Sequence, residues 1–149
     1  MKLVRISTVL AVLGTCLAGG TVMATTASAS GYGCPGSLVD TIPVQIGDFG
    51  TIVGDVYVYW DGTDNCAVAV DPSQNAEGIS VSIRECQETV MTDECTPKTG
   101  WVTDSSSSYK WYAGPVSVNA VGHCVSVTGT ITTSDGPHYS FYSGDARDC

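Results

Sequence analysis

The groups able to do chemistry in this 149-residue chain are two histidines among many serines, several paired carboxylates, a set of late cysteines and a crowd of aromatics. Nucleophilic catalysis needs a serine in a strained, oriented setting with a histidine and a carboxylate brought to it in space. No G-x-S-x-G elbow occurs. His123 follows Gly122 at the end of one alternating run, and His138 follows "DGP" at the start of another, so both read as turn or strand-edge residues. Asp61 and Asp64 flank a turn, and Asp93 and Glu94 adjoin Cys95. Glycosidic chemistry would need such carboxylates to face each other across a cleft, one with a raised pKa. Asp61, Thr63 and Asn65 alternate as calcium-loop ligands do, but no closing acid follows at the right distance, so "DGTDN" reads as a turn.

The aromatics are the stronger lead. Tyr57, Tyr59, Trp60, Trp101, Tyr109, Trp111, Tyr112, Tyr139, Phe141 and Tyr142 lie in a short chain. Exposed on a sheet, such rings suit a protein partner or sugar stacking; buried, they are core. Alternation assigns Trp60, Trp101 and Trp111 to the core. It leaves Tyr57, Tyr59 and Tyr112 as the candidate binding surface. In "YKWY" (109–112), Tyr109 and Trp111 share one face of a short strand, and one of its two pairs is buried.

Cysteine usage points to an oxidising compartment. Cys34, Cys66, Cys86, Cys95, Cys124 and Cys149 form an even set behind a leader-like segment, which reads as three disulfides. Cys86 and Cys95 close the polar segment "CQETVMTDEC" as a hairpin tip. The other four allow three pairings, of which joining sequence neighbours favours Cys34–Cys66 and Cys124–Cys149. No C-x-x-C or close His pair supports a zinc site, and no metal or other cofactor is expected.

The elements that must position these groups follow from the ends and the periodicity. Lys2 and Arg5, the apolar run 6–18 and "ASA" at 27–29 make a secretory signal, with cleavage expected after Ala29. Lipoprotein processing at Cys16 fits poorly, because Thr15 stands where a smaller residue is preferred. The domain expected is then 30–149. It carries four basic residues against fifteen acidic ones, a net charge of −11. Nucleic acid and anionic membrane surfaces are poor partners for such a chain.

Apolar residues recur with period two in "DVYVYW" (55–60), "CAVAV" (66–70), "ISVSI" (79–83), "PVSVNAV" (115–121) and "CVSVTGTIT" (124–132). "DGTDN" (61–65), "DPSQNAEG" (71–78) and "SDGP" (134–137) supply turn chemistry between them. Seven or eight short strands and no amphipathic helix predict an all-β domain: a single small antiparallel sandwich or barrel, stapled by disulfides. The serines 105–108 read as a loop. Ala113-Gly114-Pro115 reads as a turn or a break in the ladder, with Pro115 at a strand start or an edge because it has no N–H.

Several blocks in order resemble the spore-associated protein A family, small secreted proteins of filamentous spore-forming bacteria. They are "GYGCPGSLVDTIPV" (31–44), "VYVYWDGTDNCAVAV" (56–70) and "VTDSSSSYKWYAGPVSVNAVGHCVSVTGTI" (102–131), closed by Cys149. "YAGPV" is the most specific part. The segment 84–98, with Cys86 and Cys95, departs from a four-cysteine framework and looks like an addition. The resemblance implies an extracellular location at a spore or aerial surface, and no catalytic residues.

The expectation is therefore a secreted, non-enzymatic protein that associates with a cell or spore surface, or serves as a small adaptor in an extracellular complex. It would act through an exposed sheet edge or a strand-donating N-terminal arm at 30–33. One rival is an inhibitor of a secreted hydrolase presenting loop 87–94. Another is a carbohydrate-binding module, or an enzyme, built on the aromatic face.

Overall fold

The computed structural model describes residues 31–46, 50–140, 142 and 144–149. The leader and the cleavage site expected at 1–29, Ser30 and Phe141 lie outside the described residues. The rest is all-β. Eight strands, β1 (Ser37–Gln45), β2 (Ile52–Trp60), β3 (Asp64–Val70), β4 (Gly78–Glu85), β5 (Val102–Ser106), β6 (Tyr112–Asn119), β7 (Val125–Thr133) and β8 (Gly136–Ser140), form one antiparallel sheet. Its order is β5-β4-β7-β8-β1-β2-β3-β6. The sheet curls until its two edges approach, with β6 packed beside β4 and β5. The result is a nearly closed barrel. Its seam is not a ladder; Asp104 of β5 reaches across and accepts a hydrogen bond from the Gly114 N–H of β6 at 2.7 Å. Pairing the two edges through a side chain removes much of the exposed-edge hazard.

Period two makes the interior. Ile42 and Val44, Val56 and Val58, Ala67 and Ala69, Ile79, Val81 and Ile83, and Val125, Val127 and Ile131 alternate inward and are buried. The interior is narrow, so small residues sit where strands approach closely. A Cβ on Gly129 would overlap the Val56 side chain.

In β6, Ala113 and Val116 both face inward although three positions apart. The register explains it: Ala113 pairs with Ala69 and Val116 with Ala67, so Gly114 and Pro115 form a bulge. The Gly114–Pro115 peptide is cis. Pro115 thus lies on an edge strand, as expected, but Ala113-Gly114-Pro115 is a bulge within a strand and not a turn.

The expected turns are seen at residues 61–64 and 71–76. Asp61 Oδ1 accepts from the Thr63 and Asp64 backbone N–H groups and from the Thr63 hydroxyl. Asp71, buried, accepts from Ser73, Asn75 and Ala76. Ser105 and Ser106 belong to β5, where Ser105 pairs with Ser80 and Ser106 with Ile79, so only Ser107 and Ser108 turn. All three expected disulfides are present: Cys34–Cys66, Cys86–Cys95 and Cys124–Cys149.

Candidate functional site: an aromatic platform on the outer sheet

The outward face of β2 and β3 is only partly a solvent face. Residues 31–36 fold back across it, pinned by Cys34–Cys66; a Cys34 N–H to Gly31 carbonyl bond of 3.0 Å closes their own turn. Cys34 of this segment and Tyr59, Cys66, Val68 and Val70 beneath it make a second small core. The strand β3 is therefore buried on both faces.

This corrects two expectations. Tyr59 is not on an exposed surface: its side chain lies under the arm, only 6% exposed, and burial raises its phenol pKa. The approach is so close that a Cβ on Gly31 would overlap the Tyr59 hydroxyl. Nor do residues 31–33 form a free arm that donates a strand; they are spent on the chain's own sheet.

The same arm builds a site. Tyr32 projects from its turn onto Tyr57 of β2, the two rings stacked within 5° of parallel at 6.1 Å. It also meets Tyr112 at 5.6 Å and the edge of Trp111 at 6.3 Å, and Trp111 meets Tyr112 at 5.9 Å. Four rings from three chain segments thus form one platform. Tyr32, Trp111 and Tyr112 are exposed, and Tyr57 is half-buried. Trp111, assigned above to the core, is 49% exposed, because residues 109–111 precede β6 as a loop and alternation does not apply there. Its partner in the expected buried pair, Tyr109, does pack against the core. Desolvation, then the Asp55 charge, holds the Tyr57 phenol above its ordinary value, so it remains a neutral hydrogen-bond donor.

Beside the platform a groove is lined by Asp104, Ser108, Tyr109, Lys110, Trp111, Tyr112 and Gly114. Its charged groups already have structural partners. Asp104 accepts from the Tyr109 hydroxyl at 3.1 Å and from Gly114 N–H, and Lys110 Nζ donates to the Ala76 carbonyl at 2.7 Å. They brace the loop that carries Trp111, and what the site offers outward is aromatic surface.

The other tryptophans also depart from expectation. Trp101 is 42% exposed, with the Arg84 guanidinium 4.4 Å from its ring centre, a cation–π contact that suits a ring outside the core. Trp60 is half-buried and lines a separate cavity at one end of the barrel.

The histidines do not assemble a catalytic set with a serine or carboxylate among the described hydrogen bonds. His138 is buried on β8, not at a strand edge, with Nε2 2.8 Å from Thr133 Oγ1; His123 sits in a turn with Nδ1 3.2 Å from the Gln87 carbonyl. Cys86, Glu88 and Cys95 lie together, but both cysteines are consumed by their disulfide. No helix among the described residues is long and apolar enough to cross a membrane. No protein-family model, curated protein or solved structure matches this chain.

Proposed function

We propose that this chain is a secreted, non-catalytic binding module that attaches to an extracellular protein partner, at a cell or spore surface or within a larger particle, through the Tyr32–Tyr57–Trp111–Tyr112 platform. The observation that carries this reading is the gathering of four rings from distant parts of the chain, three of them exposed. Tyrosine and tryptophan are the residues that most often dominate binding energy. Held by the Cys34–Cys66 staple and the Asp104 and Lys110 braces, they lose little freedom when a partner docks. The block resembling spore-associated protein A, "YAGPV", begins with platform residue Tyr112. Three disulfides accord with an oxidising, extracellular setting.

The test is retention. Immobilised protein is expected to hold a partner from the producing culture's fluid or surface extract. Trp111→Ala/Tyr112→Ala is expected to weaken that partner's binding about 100-fold, at roughly 1–2 kcal/mol per ring, in a protein that loses some stability with its ring contacts but stays folded at the assay temperature. A wild-type protein that is monomeric by light scattering and retains nothing refutes the reading. Retention of a glycan and no protein transfers the platform to carbohydrate recognition.

A second reading has its own observation. Val90 and Met91 are 66% and 70% exposed at the tip of loop 87–94. The loop is closed by Cys86–Cys95 and braced by Thr92 pairing with Ala146. A rigid loop presenting apolar side chains is what a hydrolase inhibitor offers. Inhibition of secreted endopeptidases at micromolar protein, abolished by Met91→Asp, would establish it; no inhibition removes it.

A further inference from the structure

A cavity of about 650 Å³ opens at one end of the barrel, away from the aromatic platform. Val39, Trp60, Val90, Met91 and Ala120 give it apolar walls, and Asn65 and Asp148 are among its few polar lining residues. This volume and this mixture are typical of small-molecule sites.

The charges beside it do not balance. Arg147 commits both Nε and Nη2 to the same Asp40 oxygen, at 3.0 and 2.9 Å. Asp148 is left over: its Oδ2 is buried and has no hydrogen-bond partner among the described residues. Arg147 also acts on Asp145, so one cation serves three carboxylates, and Asp148, which has no bond to it, borders an apolar cavity. A carboxylate that lines an apolar cavity while its neighbouring cation is bonded to another acid calls for a cation. An ammonium group supplies that charge, and an aliphatic chain supplies what the walls require.

We infer that this cavity binds a small amphiphilic amine, its ammonium on Asp148 and its hydrocarbon tail along Val39, Trp60, Val90 and Met91. The inference is independent of the platform.

Burial, together with Asp40, raises the Asp148 pKa to about 6 against the opposing pull of Arg147. The folded protein therefore holds this proton more tightly than the unfolded chain. The group favours folding below about pH 4, and that contribution is lost as pH rises through about 6.

The probes are octylamine, octan-1-ol and octanoate, titrated by calorimetry at pH 7.5 with amide chemical shifts mapping the site. Octylamine is expected to bind at least tenfold tighter than octan-1-ol, with octanoate weakest. Asp148→Asn is expected to bring octylamine down to the octan-1-ol level. That variant removes an uncompensated charge and should melt no lower than wild type, so lost binding would not report unfolding. Wild-type affinity for octylamine is expected to be about tenfold weaker at pH 5 than at pH 7, as Asp148 takes up its proton. A second variant, Val90→Ser/Met91→Ser at exposed positions, should weaken octylamine and octan-1-ol alike. Equal binding of amine and alcohol, unchanged octylamine binding in Asp148→Asn, or shifts confined to residues elsewhere would overturn the assignment.

Discussion

The Cys34→Ser/Cys66→Ser double variant is expected to lose about 4 kcal/mol of stability and most of its platform affinity at once. The staple spans 32 positions, and closing a loop of that size is worth about 3.7 kcal/mol through the unfolded chain. The native state also suffers. Without the bond, the turn at Gly31–Cys34 has little to hold it against the sheet, and Tyr59, Val68 and Val70 meet water. Tyr32 leaves with the arm, taking its contacts with Tyr57, Trp111 and Tyr112. The control is Cys86→Ser/Cys95→Ser. Its bridge spans nine positions, so its entropic term is only about 2.6 kcal/mol, and it lies away from the platform. Urea unfolding of the two variants, with partner binding measured on each, separates the effects. A Cys34/Cys66 variant that binds like wild type would show that the arm does not build the site.

Asp71→Ala is the second large effect, on the order of 3 kcal/mol. Asp71 is 1% exposed, and its carboxylate satisfies the Ser73 N–H and hydroxyl through one oxygen and the Asn75 and Ala76 N–H groups, at 3.1 and 2.9 Å, through the other. Truncation strands the Ala76 N–H beside the core, and hydrogen bonds to a charged acceptor are each worth about 1.5–3 kcal/mol. The damage reaches the platform, because the Asp71 N–H donates to the Trp111 carbonyl at 2.7 Å and Lys110 anchors on the Ala76 carbonyl. Asp71→Asn keeps one good acceptor and should cost about half as much. An unfolding free energy for Asp71→Ala within about 1 kcal/mol of wild type would contradict this role.

The features readable from sequence share one physical cause: they depend on neighbours along the chain. Alternation marked β2, β3, β4, β6 and β7 because each presents a full inward row of apolar residues. Asp61 and Asp71 announced their turns because an Asx side chain bonds backbone a few residues on. The three bridges joined cysteines that follow one another in sequence. What escaped depends on distant packing. β1 was not marked, since its ladder is irregular at Leu38–Asp40 and again at Val44–Gln45, and its first half is exposed. β5 carries serines on a largely exposed edge and has no apolar row to read. Tyr59 and Trp111 exchanged roles for related reasons. An arm 25 residues upstream covers one, and a loop stabilised by Asp71, Asp104 and Lys110 carries the other outward. Tyr32 gave no strand signal; the only hint was its place beside glycines and a cysteine.

The central claim is that the platform is the binding surface, and the most direct measurement is partner affinity of wild type against Trp111→Ala/Tyr112→Ala, both folded at the assay temperature. About a 100-fold loss, with the variant folded at the assay temperature and all three disulfides formed, is the predicted result. Equal affinity of the two proteins for the retained partner would contradict the claim and move the binding surface elsewhere on the barrel.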